Sequence, residues 1–310
     1  MKKVFIDGSA GTTGLRIVER LSKRNDIELI KLPEELRKDN DARKKALNSC
    51  DIAFLCLPDA AAIEAVNMIE NENVVVLDTS TAHRTNDNWA YGFPELSKEH
   101  FEKVASAKRI AVPGCHASGF IALVYPLIEK GIIDKDALLT CHSITGYSGG
   151  GKKMIAEYEA EERNELFDGP RQYALGQTHK HLPEMGKVTG LTNAPIFCPI
   201  VSDFYSGMAV TVPVFKSQLN DGFTVEDIKK AYKEKYTGEI VTYLDSIDES
   251  GLISANALSF KDSMQITVSG NDERILLVAR YDNLGKGASG AALECMNIAM
   301  GNSPSDMLDI

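Results

Sequence analysis

Along the first third of the chain, short unbroken hydrophobic runs alternate with hydrophobic residues at helical spacing. Runs at 3–7, 27–32, 51–57, 73–78 and 109–112 read as strands, and the third contains Ile52-Ala53-Phe54-Leu55-Cys56-Leu57 without a polar residue. A strand apolar on both faces implies helices on both sides of a parallel sheet. Leu15, Ile17, Val18 and Leu21 mark one face of an intervening helix, and Ala62, Ile63, Val66 and Ile69 mark another over 59–71. The pattern predicts an α/β fold: a doubly wound parallel-sheet domain of the nucleotide-binding kind.

The pattern changes after a helix that starts at His116 and runs through Phe120, Leu123, Val124 and Leu127. Over 209–215, Val210, Val212 and Val214 alternate with other residues, as Met264, Ile266 and Val268 do over 264–269. Strict alternation marks a sheet with one face packed and the other polar or used at an interface. A helix is expected over 224–236, with Glu226 and Asp227 at its start and Lys229, Lys230, Lys233 and Lys235 further on, suiting its dipole. The last helix, carrying Leu293, Met296, Ile298 and Ala299, is placed back against the first domain. That assigns 1–115 plus 285–310 to the dinucleotide-binding domain, and makes 116–284 an inserted α+β catalytic and oligomerisation domain.

Composition narrows the partners. The 310 residues carry 34 Lys plus Arg against 44 Asp plus Glu, a net charge of −10, which disfavours nucleic acid and anionic membranes. No apolar run approaches the ~20 residues that span a bilayer. The start reaches Asp7 after only Val4, Phe5 and Ile6, so no secretory segment is read there. Six cysteines, at 50, 56, 115, 141, 198 and 295, show no C-x-x-C pair and read as reduced thiols of a cytoplasmic protein.

Several segments carry candidate chemistry. Gly8-Ser9-Ala10-Gly11-Thr12-Thr13-Gly14 lies between the first strand and helix, where glycines allow a tight turn, backbone approach to a pyrophosphate and helix–strand packing. The second strand ends without a clear acidic residue, and Lys31 or Arg37 suits a 2′-phosphate, so NADP is favoured over NAD. Cys115 follows Gly114 at a helix N-terminus, where unpaired N–H groups and the helix dipole favour a thiolate. Ser80 and Arg84 follow the fourth strand at its ligand-binding edge; Arg84 suits a phosphate bidentately, or is an ordinary loop arginine. Ser148, Gly149 and Lys152 sit in a glycine-rich turn fit for an anion or simply flexible. His179 and His181 offer an acid/base; two imidazoles are too few for zinc, and no metal is expected. Gly285 opens a run of small residues suited to close approach by a backbone or a cofactor.

Taken with Tyr91-Gly92-Phe93-Pro94-Glu95-Leu96, Pro113-Gly114-Cys115-His116-Ala117-Ser118-Gly119, His179-Lys180-His181-Leu182-Pro183-Glu184 and 282–290, these segments resemble the N-acetyl-gamma-glutamyl-phosphate reductase family in its short form, within the aspartate-semialdehyde dehydrogenase superfamily. Longer members have Tyr-Pro where this chain has His116-Ala117. The resemblance implies NADPH-dependent reduction of an acyl phosphate in arginine biosynthesis, through a Cys115 thioester, with His181 as acid/base and His179 as the alternative. The motifs themselves offer Arg84, Ser148, Gly149, Lys152 and His179 for the substrate, and Gly8, Ser9, Ala10, Gly11, Thr12, Thr13, Gly14, Ser80 and Gly285 for the cofactor. The resemblance also implies a homodimer or tetramer built through the alternating sheet. Competing readings are aspartate-semialdehyde dehydrogenase, acetylaminoadipyl-phosphate reductase, a cysteine acyl-hydrolase and a nucleotide-sensing module.

Overall fold

The computed structural model describes residues 1–310. They divide into two units, 1–94 with 98–113 and 291–308, and 95–97 with 114–290 and 309–310. In the first unit the order is β1 (Lys2–Asp7), α1 (Thr12–Leu21), β2 (Ile27–Ile30), α2 (Asn40–Ser49), β3 (Ile52–Leu55), α3 (Asp59–Asn67), β4 (Val75–Asp78), β5 (Ala90–Tyr91), α4 (Lys98–Ser106) and β6 (Arg109–Ala111). The sheet runs β2-β1-β3-β4-β6-β5, parallel throughout, with Val4 opposite Leu29 on one side and Ile52 on the other. The winding direction reverses between β1 and β3, so the loop after β1 opens at the crevice where such sheets bind ligands.

Alternation along the strands fills two cores. Val4, Ile6, Phe54 and Leu77 pack on one face of the sheet with Ile17 and Leu21 of α1, while Phe5, Ala53, Leu55 and Val76 pack on the other with Leu47 of α2 and Ala62 of α3. The first core is completed by Ala292, Leu293, Met296 and Ile298 from the end of the chain, as the sequence predicts. β3 is covered on both faces, which is why its segment needs no polar residue.

The second unit contains α5 (Cys115–Glu129), β7 (Thr140–Gly146), α6 (Gly151–Tyr158), β8 (Arg171–Gln172), α7 (Leu182–Thr189), β9 (Ile196–Ser202), β10 (Met208–Phe215), α8 (Val225–Lys235), β11 (Val241–Tyr243), β12 (Met264–Gly270) and β13 (Arg274–Tyr281). Its mixed sheet runs β11-β12-β13-β10-β7-β9-β8. β10 and β12 were legible by alternation; β7, β9 and β13 were not, because a polar or a second apolar residue interrupts each pattern. α5 is buried along nearly its whole length. Pro126 inside it has no N–H to give Ala122. The Tyr236 hydroxyl donates to that carbonyl at 2.6 Å, and Tyr232 serves Leu123 next to it at 2.5 Å.

The units correct the expected boundaries by a few residues. Cys115 and 285–290 belong to the second unit, because Gly285–Ser289 is a single π-helical turn held by Asp282, which accepts from the N–H groups of Leu284 and Gly285 at 2.7 Å each. Only from Ala291 does α9 (Gly290–Met300) join the first unit. Residues 309–310 belong with the second, where the backbone of Asp309 pairs with Asp262. No helix is long and apolar enough to cross a membrane.

Candidate active site

The loop after β1 is shaped by its glycines. Gly8 adopts φ +83°, and a Cβ there would stand 2.2 Å from the Cys56 carbonyl; one on Gly14 would stand 2.5 Å from the Gly8 carbonyl. Gly11 differs, since the nearest atom to a Cβ would be 3.5 Å away, which leaves its outer side open. The Thr12 hydroxyl at the start of α1 is buried without a hydrogen-bond partner. An open glycine, an unmet hydroxyl and a helix N-terminus fit a dinucleotide phosphate. Below the loop Arg43 pairs with buried Asp7 at 3.0 Å. Burial raises the Asp7 pKa and the Arg43 guanidinium opposes the rise.

The other predicted residues of this unit are more committed. Ser80 donates its hydroxyl proton to Asp78 at 2.7 Å and accepts from the Ala82 N–H at 3.2 Å, while His83 meets the same Asp78 at 2.6 Å and stacks on Trp89. Ser80 therefore shapes the loop after β4. Arg84 departs from expectation. Its guanidinium donates to the carbonyls of Val112 and Thr79, both at 2.8 Å, and ties the loop to the end of β6 instead of standing ready for a phosphate.

In the second unit Cys115 is the first residue of α5, with Gly114 as its extended N-cap. Three neighbours fix it. The Glu184 carboxylate accepts from the Gly114 N–H at 2.8 Å, and the Tyr281 hydroxyl donates to the Cys115 carbonyl. A Cβ on Gly287 would come within 3.0 Å of the Cys115 Cβ, so the π-helical turn packs flush against the backbone of Cys115. A Cβ on Gly285 would meet the Lys261 carbonyl at 1.9 Å and its N–H donates to Asp282, so the glycine is needed for this packing. Lys286, 2 % exposed, pairs with Glu95 at 2.6 Å in the same turn.

The His179–Glu184 segment meets the cysteine segment directly. Glu184 lies one turn into α7, and His181, 4 % exposed, is the residue at its N-cap. The His116 ring lies 5.7 Å from that of His181 and 5.8 Å from that of His179. His116 pairs through Nδ1 with the Ser143 hydroxyl and through Nε2 with the Tyr173 hydroxyl, each at 2.6 Å. Burial lowers its pKa to about 3, with His179 adding to the effect, so it is a neutral scaffold. His179 accepts the His181 backbone N–H on Nδ1 at 3.2 Å, and burial with Lys180 beside it lowers its pKa to about 4. Burial first, and the nearby Cys115 charge second, push the Tyr173 hydroxyl upward.

Ser148 and Gly149 lie on the same unit's 282–287 segment. Asn283 donates to the Ser148 hydroxyl at 3.0 Å, which leaves the serine proton available, and a Cβ on Gly149 would touch the Asn283 amide at 3.2 Å. Lys152 is exposed at the start of α6. Sequence reasoning did not reach Glu184 as a partner of Gly114, nor Tyr173, Ser143 and Tyr281. A tyrosine on an apolar strand face needs a partner for its hydroxyl, and that signal was there for Tyr281.

Comparison with known proteins agrees with this geometry. The chain matches the family models for semialdehyde dehydrogenase, NAD binding domain, over 3–104, and semialdehyde dehydrogenase, dimerisation domain, over 115–283. It is 46% identical over 305 residues to an N-acetyl-gamma-glutamyl-phosphate reductase of Rhizobium etli, covering 96% of this chain and 98% of that one. One from Trichormus variabilis is 44% identical over 311 residues, covering 96% and 97%. Among solved structures it is similar to aspartate semialdehyde dehydrogenase II of Vibrio cholerae, with a TM-score of 0.71 at 14% identity over 97% of this chain and 98% of that one. The Candida albicans aspartate semialdehyde dehydrogenase solved with NADP gives 0.68 at 17% identity over 99% and 100%.

Proposed function

Because the chain belongs to the N-acetyl-gamma-glutamyl-phosphate reductase family, we propose that it reduces N-acetyl-gamma-glutamyl phosphate to N-acetylglutamate 5-semialdehyde with release of phosphate, a step of arginine biosynthesis. The observation that carries this reading is the Gly114–Glu184 hydrogen bond, which brings the histidine segment onto the turn that presents Cys115. The Cys115 sulfur attacks the acyl carbon, the carbon–oxygen bond to phosphate breaks, and a thioester remains. NADPH, when bound to the 8–14 loop, supplies a hydride for which a thioester carbonyl is a far better acceptor than a carboxylate. His181 holds a proton on the oxygen of the resulting tetrahedral adduct. On collapse His181 takes that proton back, the carbon–sulfur bond breaks, the aldehyde carbonyl forms and the sulfur leaves as thiolate.

His181 takes the acid/base role because His179 is committed on Nδ1 and resists protonation, with a pKa of about 4. His179 then serves as a neutral donor toward substrate, with Ser148, Gly149 and Lys152 lining the same site. The outer face of the second sheet exposes Ile196, Ile144, Leu276 and Phe215. An apolar sheet face of this kind suits a second copy of the chain, which supports a homo-oligomer, and the reaction places the enzyme in the cytoplasm. The test runs the reaction backwards. N-acetylglutamate semialdehyde and phosphate should reduce NADP faster than NAD, and faster than aspartate semialdehyde does. Preference for aspartate semialdehyde would overturn the substrate assignment.

A further inference from the structure

We propose that Tyr281 is a positioning residue for the Cys115 nucleophile, its hydroxyl built into the first turn of α5 between the Gly119 N–H and the Cys115 carbonyl; the proposal rests on Cys115 being the reactive thiol. The Gly119 N–H donates to the Tyr281 oxygen at 3.0 Å, and that hydroxyl in turn donates to the Cys115 carbonyl. These are the two backbone groups that the first turn of an α-helix from residue 115 brings together. A hydroxyl can accept and donate at once, so one buried side chain grips both of them.

Three further features fit this purpose. Tyr281 is fully buried at the end of β13, on the strand face that carries Ile275, Leu277 and Ala279. Residue 119 is a glycine, where a Cβ would stand 2.6 Å from the Tyr281 oxygen and 2.7 Å from Val210 Cγ2. The absent side chain is what makes room for the hydroxyl. The N–H just before the cysteine is claimed by Glu184, and the backbone on its far side abuts Gly287. Sγ takes its direction from a backbone fixed at each of these points.

Loss of the hydroxyl removes a buried hydrogen bond from each of these two groups and lets the first turn shift, which re-aims the sulfur. Misplacement by about 1 Å costs on the order of 10²-fold in rate. Tyr281→Phe should therefore lower kcat by roughly 10–100-fold with KM within about twofold. Weaker backbone hydrogen bonding to the thiolate raises a thiol's pKa, so iodoacetamide alkylation of the Cys115 peptide, followed by mass spectrometry, should shift its pH midpoint up by about half a unit or more. Gly119→Ala, which evicts the hydroxyl while keeping the tyrosine, should reproduce both effects and answers the question if the phenylalanine variant is not recovered folded. A variant with a lower melting temperature but unchanged kcat and alkylation midpoint overturns the proposal. If the parent protein shows no selective alkylation at Cys115, the nucleophile assignment fails instead.

Discussion

Two strand–turn–helix junctions, at 8–14 and at 114–119, are built in opposite ways. At the 8–14 loop the turn is closed on its inner side, where Gly8 and Gly14 admit no side chain, and open on its outer side, where a Cβ on Gly11 would meet nothing nearer than 3.5 Å and the Thr12 hydroxyl has no hydrogen-bond partner. At 114–119 the backbone is claimed by protein: Glu184 on Gly114, Tyr281 on Cys115 and Gly119, Gly287 against Cys115. A diphosphate brings its own charge and many contacts, so its site need only leave donors unused. A nucleophile has one reacting atom, and its site must remove freedom. The same local motif becomes a cradle or a vice according to who satisfies its amides.

Substitutions at the two junctions should separate cleanly, and they give the largest effect. Cys115→Ser should abolish reduction while NADPH binding, read by fluorescence, stays near the parent value. Gly8→Ala forces a Cβ to 2.2 Å from the Cys56 carbonyl in a positive-φ conformation, so NADPH binding should be lost while Cys115 is still alkylated. Turnover by the serine variant would exclude the thioester route. Loss of both readouts in either variant would show the junctions to be one cooperative element.

Next in size is the histidine pair. His181→Asn should lower kcat by roughly 10²–10⁴-fold, the usual worth of a proton-transfer group. His179→Asn should act more on KM, as the loss of a neutral donor, and the reverse ranking would exchange their roles.

The cradle was legible in the sequence and the vice only half so. Gly8, Gly11 and Gly14 act within their own turn, and unbroken apolar strands gave away the parallel sheet around them. Cys115 was legible for the same local reason, a thiol between a strand and a helical pattern. Its braces were not, since Tyr281 is 166 residues away and no short-range spacing points to it. Arg84 shows the same limit: an arginine's charge is visible in a sequence, but the two backbone carbonyls it binds are not. β13 and β7 escaped because Arg280 and Ser143 sit buried where alternation expects a clear polar or apolar choice.

The smallest effect expected is on stability, and in the vice it comes from two buried histidines. His116 and His179 stay neutral in the folded protein down to about 3 and about 4, whereas unfolded histidines take up a proton near 6.5. A pKa depressed by folding means the unfolded chain binds more protons, so the stability present above pH 6.5 is lost as pH falls toward those folded values. Each histidine contributes a slope of at most ~1.4 kcal/mol per pH unit across that window. Urea unfolding between pH 7 and pH 4.5 should show this loss. His116→Gln should reduce the slope by about one proton, at the cost of lower stability at neutral pH because Tyr173 and Ser143 lose a well-placed partner. An unchanged slope in His116→Gln would mean that the acid loss comes from elsewhere in the molecule and not from this histidine.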